Sequence, residues 1–176
     1  GKSHTVQKLP VHLSDKQSVF FNKGQEAAAV ERALAQDTQL TAWFKLNTND
    51  PYARQFPYAD IPLHYRWLSS AKKWQRRKRA TKVVSRIVSV SPRDVERYHL
   101  RMLLLFVTGP TSFEDLLTTP DGTVCSTFLE ACNKRNLLEN DAVWIDTMQD
   151  ASLSDSPKEL RRLFAFILLF CQVKDP

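Results

Sequence analysis

The sequence has no apolar run long enough to cross a bilayer. Its most apolar stretch, from Leu163 to Cys171, falls well short of the roughly 20 residues that a membrane-spanning helix needs. The first residues, Gly1 to His4, lack the apolar segment of a secretory signal peptide. We therefore expect an intracellular protein that makes no contact with a membrane.

Cysteine and histidine are few, and their spacing is not that of metal ligands. None of the four histidines lies two residues from another on a predicted strand or four on a predicted helix, and no Cys-x-x-Cys pair occurs. Three cysteines do not favour a disulfide framework. Nor does the spacing support a Ser/His/Asp or Cys/His nucleophile. We expect reduced cysteines that pack in the core, no metal, no cofactor and no catalytic residues in this chain.

Acidic residues are missing from one stretch of the chain, between Asp60 and Asp94. Ten of the 25 basic residues lie there, which leaves 15 basic and 19 acidic residues elsewhere. The net charge of +6 is therefore the result of one basic segment in an otherwise mildly acidic chain. Such an asymmetry favours a polyanionic partner at the basic segment.

The first half of the chain has the patterns of strands and short helices. Residues 6–13 and 18–21 predict a hairpin, and the apolar spacing over residues 25–36 predicts a helix. Thr38 is expected to cap a further short helix that extends through Leu46. Residues 52–62 are rich in proline, which predicts a loop lying over the surface.

A second hairpin, basic and aromatic, is predicted within the stretch that lacks acids. Residues 64–67 and 73–76 would form its strands, on either side of Ser69-Ser70-Ala71. The β-branched residues between Lys82 and Val90 predict a third strand, largely buried. Arg76 to Arg79 are also compatible with a nuclear-localisation signal.

This basic segment is the strongest functional signal in the sequence. Lysine and arginine neutralise phosphates, and aromatic faces stack on unpaired bases for roughly 1–3 kcal/mol each. The alternative is a solvated hairpin whose tryptophans face the core. The residues predicted to bind DNA are Arg66, Trp67, Lys72, Lys73, Trp74, Arg76, Arg77, Lys78, Arg79, Lys82 and Arg86.

From Ser91 the apolar period changes to that of helices. Ser91-Pro92 followed by Asp94 is a helix start, and Gly109-Pro110 ends that helix. Further helices are predicted near residues 111–116, 127–136 and 140–148, and a last one after Ser156. We expect an α+β fold, with a small antiparallel sheet and hairpins in the first half, a bundle-like helical second half, and lobes at residues 1–90 and 91–176.

Several strings, spread in order over the whole chain, resemble one continuous segment of the Helitron-type rolling-circle DNA transposases. Each string alone is unspecific, and the resemblance rests on their shared order. They include Thr5 to Leu13, Gln17 to Phe21, Leu40 to Phe44, Val90 to Pro92, Glu96 to Leu104, Gly109 to Leu116, Thr127 to Cys132 and Leu168 to Cys171.

The resemblance implies a place between the Rep nuclease and the C-terminal helicase of a nuclear transposase. The catalytic motifs of both enzymes would lie outside this chain. The chain itself would be a non-catalytic module that holds single-stranded DNA between the flanking domains. The alternative is a protein-interaction scaffold that docks the helicase domain through its apolar C-terminal helix and does not contact DNA.

Overall fold

The computed structural model describes residues 5–14, 16, 36–79, 82–138, 142–152 and 156–170. The strand predicted at residues 18–21 and all but the last residue of the helix predicted at 25–36 lie outside them. Two compact units are present, one formed by Gly1–Val88 with Leu104–Leu116 and the other by Ser89–Leu103 with Leu117–Pro176. The division into lobes at residues 1–90 and 91–176 stays a prediction.

The described elements include both strands and helices in the first half and are helical in the second, so the predicted α+β class is confirmed. The strands are β1 (Thr5–Leu9), β2 (Tyr65–Leu68), β3 (Lys73–Arg76) and β4 (Val83–Ile87). The helices are α1 (Gln39–Asn49), α2 (Ile61–His64), α3 (Val95–Phe106), α4 (Phe113–Leu117), α5 (Phe128–Lys134), α6 (Ala142–Ser152) and α7 (Pro157–Phe170).

Helix α1 begins directly after Thr38, the residue that the sequence predicts as its cap. The backbone N–H of Thr41 donates to the Thr38 hydroxyl over 3.1 Å, and the backbone N–H of Thr38 donates to the Thr41 hydroxyl over 2.9 Å. This reciprocal capping box satisfies N–H groups that have no partner inside the helix. Behind it, Leu40, Trp43 and Phe44 are buried in the core of the first unit.

The stretch from residue 52 to 62 is not the surface loop that its prolines predict. It forms two 3-10 turns, Ala53–Gln55 and Tyr58–Asp60, which lead into α2. Pro57 and Pro62 stand at the N-terminal ends of short helical segments, where a missing N–H costs nothing. Ala53, Tyr58 and Ile61 are completely buried, so this stretch is part of the core.

The predicted third strand forms but is less buried than expected. Strand β4 pairs with β1 in parallel, with Leu9 opposite Ile87, instead of extending the β2–β3 hairpin. Leu9 and Ile87 are buried, whereas Val83 and Val84 are only partly covered. Next to Ile87, Arg86 is exposed, because successive side chains of a strand point to opposite faces, and one face of β4 therefore meets solvent.

In the second unit, the side chains of α3 supply much of the core. Leu100, Met102 and Leu103 are completely buried. Helix α5 is capped by Thr127, whose hydroxyl accepts from the Glu130 N–H over 3.1 Å. Thr127 is thus the cap that begins this predicted helix. Among the described residues, no helix has the length and apolar character needed to cross a membrane.

Candidate nucleic-acid interface

The register of the β2–β3 hairpin decides which of the predicted DNA-binding side chains point the same way. The strands are antiparallel, with Arg66 opposite Gln75 and Trp67 opposite Trp74. Directly opposed residues share a face, and neighbours along a strand alternate. One face therefore carries Tyr65, Trp67, Trp74 and Arg76, and the other carries Arg66, Leu68, Lys73 and Gln75.

The face with the tryptophans is turned largely toward α1 and the core. Trp74 is 6% exposed, and its indole N–H donates to the Gln39 carbonyl over 2.9 Å. A base cannot stack on a ring that is covered in this way, so Trp74 is removed from the candidate interface. Trp67, 5.3 Å from Trp74 between ring centroids, is half-buried and keeps part of its ring in solvent, so it remains in the interface.

The opposite face, which we call the outer face, carries Arg66, Lys73 and Gln75 in exposed positions. The Arg66 guanidinium donates to Gln75 Oε1 through Nε over 2.9 Å and through Nη2 over 2.6 Å. These two bonds fix the plane of the guanidinium and leave three of its five N–H groups for a further acceptor. Within the described part of the chain, neither Arg66 nor Lys73 pairs with a carboxylate.

Further exposed cations lie in the turn of the hairpin, after β3 and just before β4. Lys72 occupies the turn with a φ of 48°, the left-handed region that most side chains avoid. Lys78 and Arg79 follow β3 and are exposed, as is Lys82 just before β4. The structure therefore places four more of the predicted cations in contact with solvent.

Two of the predicted arginines are held against the protein. The guanidinium carbon of Arg76 lies 3.9 Å from the centroid of the Tyr52 ring. Arg77 Nε donates to the carbonyls of Pro62 and Tyr65, over 3.0 and 3.1 Å. Burial, together with the nearby charge of Arg66, lowers the pKa of Arg77 below its ordinary value. Arg77 therefore ties the hairpin to α2 and has fewer donors left for phosphate.

A group of aromatic rings lies beside Arg76 that the sequence pattern did not indicate. Phe56 and His64 stack at 3.7 Å between ring centroids, and Tyr52 meets Phe56 edge-on at 5.1 Å. All three side chains are half-buried. These three rings lie close to the basic stretch in the sequence, and this proximity could have indicated them. Predicting residues 52–62 as a surface loop gave no reason to expect that the rings come together.

The β1–β4 sheet adds a cationic pair on its solvent face. Arg86, which the sequence predicts as a DNA-binding residue, lies opposite Lys8, which it does not. Both side chains are exposed, and Leu9 and Ile87 next to them on the strands are buried. Lys8 was missed because it lies about 80 residues before its partner, outside the stretch that lacks acids.

The cysteines and the possible metal ligands in the described part of the chain were also compared with the sequence-based expectation. No group of three His, Cys, Asp or Glu side chains there is placed to hold a metal ion. Cys125 and Cys132 are buried thiols, and Cys132 donates to the His99 carbonyl over 3.3 Å. Burial raises the pKa of the Cys132 thiol to about 12, which opposes formation of the nucleophilic thiolate.

Neither a scan against protein-family models nor a search of curated proteins gives a match to this chain. The resemblance to Helitron transposases therefore stays a prediction from the sequence.

Proposed function

We propose that this chain is a non-catalytic module that binds single-stranded DNA within a Helitron-like transposase, between its nuclease and its helicase. The observation that supports this most directly is the outer face of the β2–β3 hairpin, where Arg66 and Lys73 are exposed without a carboxylate partner in the described residues. The parent protein would be nuclear, and its own catalysis would lie in the flanking domains.

The chemistry of this surface suits a phosphate backbone. Exposed guanidinium and ammonium groups bind phosphates and release condensed counterions, which gives affinity that depends on salt and little on sequence. Because residues 61–93 contain no acid, nothing in that stretch of the chain repels the backbone. Lys72, Lys78 and Lys82 extend the same positive charge around the hairpin.

A preference for single strands follows from the solvent-accessible part of the half-buried Trp67 ring. Unpaired bases can stack on an aromatic side chain, whereas bases inside a duplex cannot reach one without unstacking. Trp67 lies on the hairpin face opposite Arg66 and Lys73, so a strand would have to pass around the hairpin edge to meet both. We therefore expect oligo(dT) to bind more tightly than a duplex of equal length.

The outer face is tested by replacing its two cations together, R66Q/K73Q. Removing one bound phosphate lowers the slope of log affinity against log salt by about 0.7 for single strands, so the double variant should lower it by about 1.4. Fluorescence anisotropy with labelled oligo(dT) at several salt concentrations measures the slope. The matched control is K158Q/R161Q, which removes the same charge from exposed positions of α7.

The proposal predicts that the control leaves both affinity and slope unchanged. Equal losses in the two double variants would show that binding follows net charge and not this hairpin. An unchanged slope in R66Q/K73Q would reject the outer face as the binding surface.

A second candidate function is a scaffold that docks the helicase domain. It is favoured by the apolar surface of α7, where Phe164 is 48% and Leu168 is 40% exposed, one helical turn apart. The variant F164E/L168E should abolish capture of the helicase domain of the same polypeptide and leave oligo(dT) binding intact. Loss of neither interaction would remove this candidate.

A further inference from the structure

The second unit contains a cavity of about 350 Å³, lined by residues 89–93 and by side chains of α6 and α7. This volume is at the lower end of the range of roughly 300–1,000 Å³ found for small-molecule sites. Val90, Ala151 and Leu163 give it apolar walls, of which Val90 and Ala151 are buried. The cavity therefore has room for one small molecule with an apolar part.

Two arginines, Arg93 and Arg162, also line the cavity. Both residues are exposed, and among the described residues neither forms an ion pair, although the charge of Arg162 acts on the nearby Glu159 carboxylate. Asp94, the acid next to Arg93, instead pairs with Arg97 over 2.8 Å. Two such arginines at one cavity are an arrangement that suits a doubly charged anion.

The carboxylate in the lining, Glu159, is engaged by the helix cap. Ser156 donates to Glu159 Oε2 through its backbone N–H over 3.0 Å and through its hydroxyl over 2.7 Å. These bonds lower the pKa of Glu159, so it stays ionised at the positive end of α7. Its charge offsets one of the two arginines, which leaves a net positive lining.

Hydroxyl groups complete the polar side of the cavity. The Ser91 hydroxyl accepts from the backbone N–H of Arg93 over 3.3 Å, so its own hydrogen can point to a ligand. Thr147 also lines the cavity, and its hydroxyl is within hydrogen-bond distance of the Tyr98 hydroxyl, at 3.1 Å. Phosphate oxygens accept from guanidinium and hydroxyl donors alike.

We propose that this cavity binds a small phosphomonoester that carries an apolar ring, of the size of a mononucleotide. Arg93 and Arg162 bind its phosphate group, Ser91 donates a further hydrogen bond, and Val90 and Leu163 pack against the ring. This site is independent of the DNA-binding hairpin, because every residue that it uses belongs to the second unit.

Isothermal titration calorimetry with the full chain tests the proposal. The probes are adenosine 5′-monophosphate, adenosine and inorganic phosphate. We expect the nucleotide to bind, and adenosine to bind at least tenfold more weakly because it lacks the charge that the arginines recognise. The variants R93Q and R162Q should each weaken nucleotide binding about tenfold, whereas R161Q, an exposed arginine that does not line the cavity, should leave it unchanged.

Three further measurements decide the outcome. Partial recovery in R93K/R162K, with circular dichroism unchanged, would support recognition of charge over a loss of folding. Nucleotide binding that survives in R66Q/K73Q would separate this site from the hairpin. A 5′-phosphorylated trinucleotide that binds more tightly than the mononucleotide would make the end of a strand the source of the phosphate. Absence of nucleotide binding at millimolar concentration, or equal binding by R93Q, R162Q and the unmodified chain, would overturn the proposal.

Discussion

Trp67 and Trp74 are direct cross-strand neighbours, yet they have different environments. Trp74 is buried with its indole N–H bonded to the Gln39 carbonyl, whereas Trp67, on the same face of the hairpin, is only half-buried. The difference arises because α1 packs against β3, the strand that carries Trp74. One indole thus belongs to the core, and the other keeps part of its ring in contact with solvent.

The two tryptophans should therefore give opposite results on replacement by alanine. W74A should lower the free energy of unfolding by about 3–5 kcal/mol, as for other buried aromatic residues. W67A should cost less stability and weaken binding of single-stranded DNA by roughly 1–3 kcal/mol. Chemical denaturation and anisotropy measure the two effects. Equal effects of both variants on stability would contradict this assignment.

The environment of the Tyr65 hydroxyl leads us to expect that the free energy of unfolding changes at alkaline pH. It donates to Asp50 over 2.7 Å, and burial and this carboxylate raise the pKa of Tyr65 well above its ordinary value. Below pH 10 both states keep the phenol neutral. As the pH rises above 10, the unfolded state ionises first, so the free energy of unfolding should fall.

The variant Y65F isolates this contribution. At neutral pH it should cost about 1 kcal/mol, the usual net contribution of one hydrogen bond. Above pH 10 the stability of Y65F should decline less steeply than that of the unmodified chain. Parallel alkaline curves from urea denaturation would show that Tyr65 does not carry the effect.

For Glu130 we expect the opposite pH dependence of stability, in the acid range. The Ser126 N–H, the Lys134 ammonium group and the Ser126 hydroxyl all bond to its carboxylate, which lowers its pKa to about 2. Its stabilisation should be fully present above its ordinary pKa of 4.5 and be lost as the pH falls toward 2. The variant E130Q should melt at a lower temperature at pH 7, and this difference should shrink between pH 4.5 and 2. A difference that does not change with pH would contradict the prediction.

Gly109 and Gly122 form a matched pair for testing backbone strain. Both have positive φ, 74° and 84°, where an L-residue costs roughly 1–2 kcal/mol. A Cβ at Gly109 would lie 3.2 Å from both Cβ and the carbonyl oxygen of Arg54, whereas one at Gly122 would meet no atom within 4 Å. G109A should therefore lower the free energy of unfolding more than G122A. Equal costs would mean that the contact with Arg54 relaxes freely.

Cys125 and Cys132 should be inert in the folded protein. Both are buried, and the pKa of the Cys132 thiol is raised to about 12. In a C171S background, a chromogenic disulfide reagent at pH 8 should titrate both thiols in denaturant and react with neither on mixing with the native chain. Rapid native reaction that disappears in C132S would contradict the structure.

Much of the local structure could be predicted because it depends on neighbours in the chain. Thr38 and Thr127 cap their helices through residues three positions later, and the β2–β3 hairpin closes over a few residues. The buried turns at residues 52–62 could not be predicted in this way. Proline indicates only that the regular backbone hydrogen bonding of a helix or strand is interrupted. The apolar contacts that bury Tyr58 and Ile61 come from distant parts of the chain.

The candidate site divides along the same line. By itself the sequence determined where the positive charge lies, that a hairpin carries it and that this stretch contains no acids. Composition and short-range patterns do not depend on how distant parts of the chain pack. Only the tertiary structure decided that Trp74 faces the core while Trp67 does not, that Arg77 is bonded to α2, and that Lys8 joins Arg86. Each of these depends on strand register or on contacts between residues far apart in the chain, which packing of the whole unit sets.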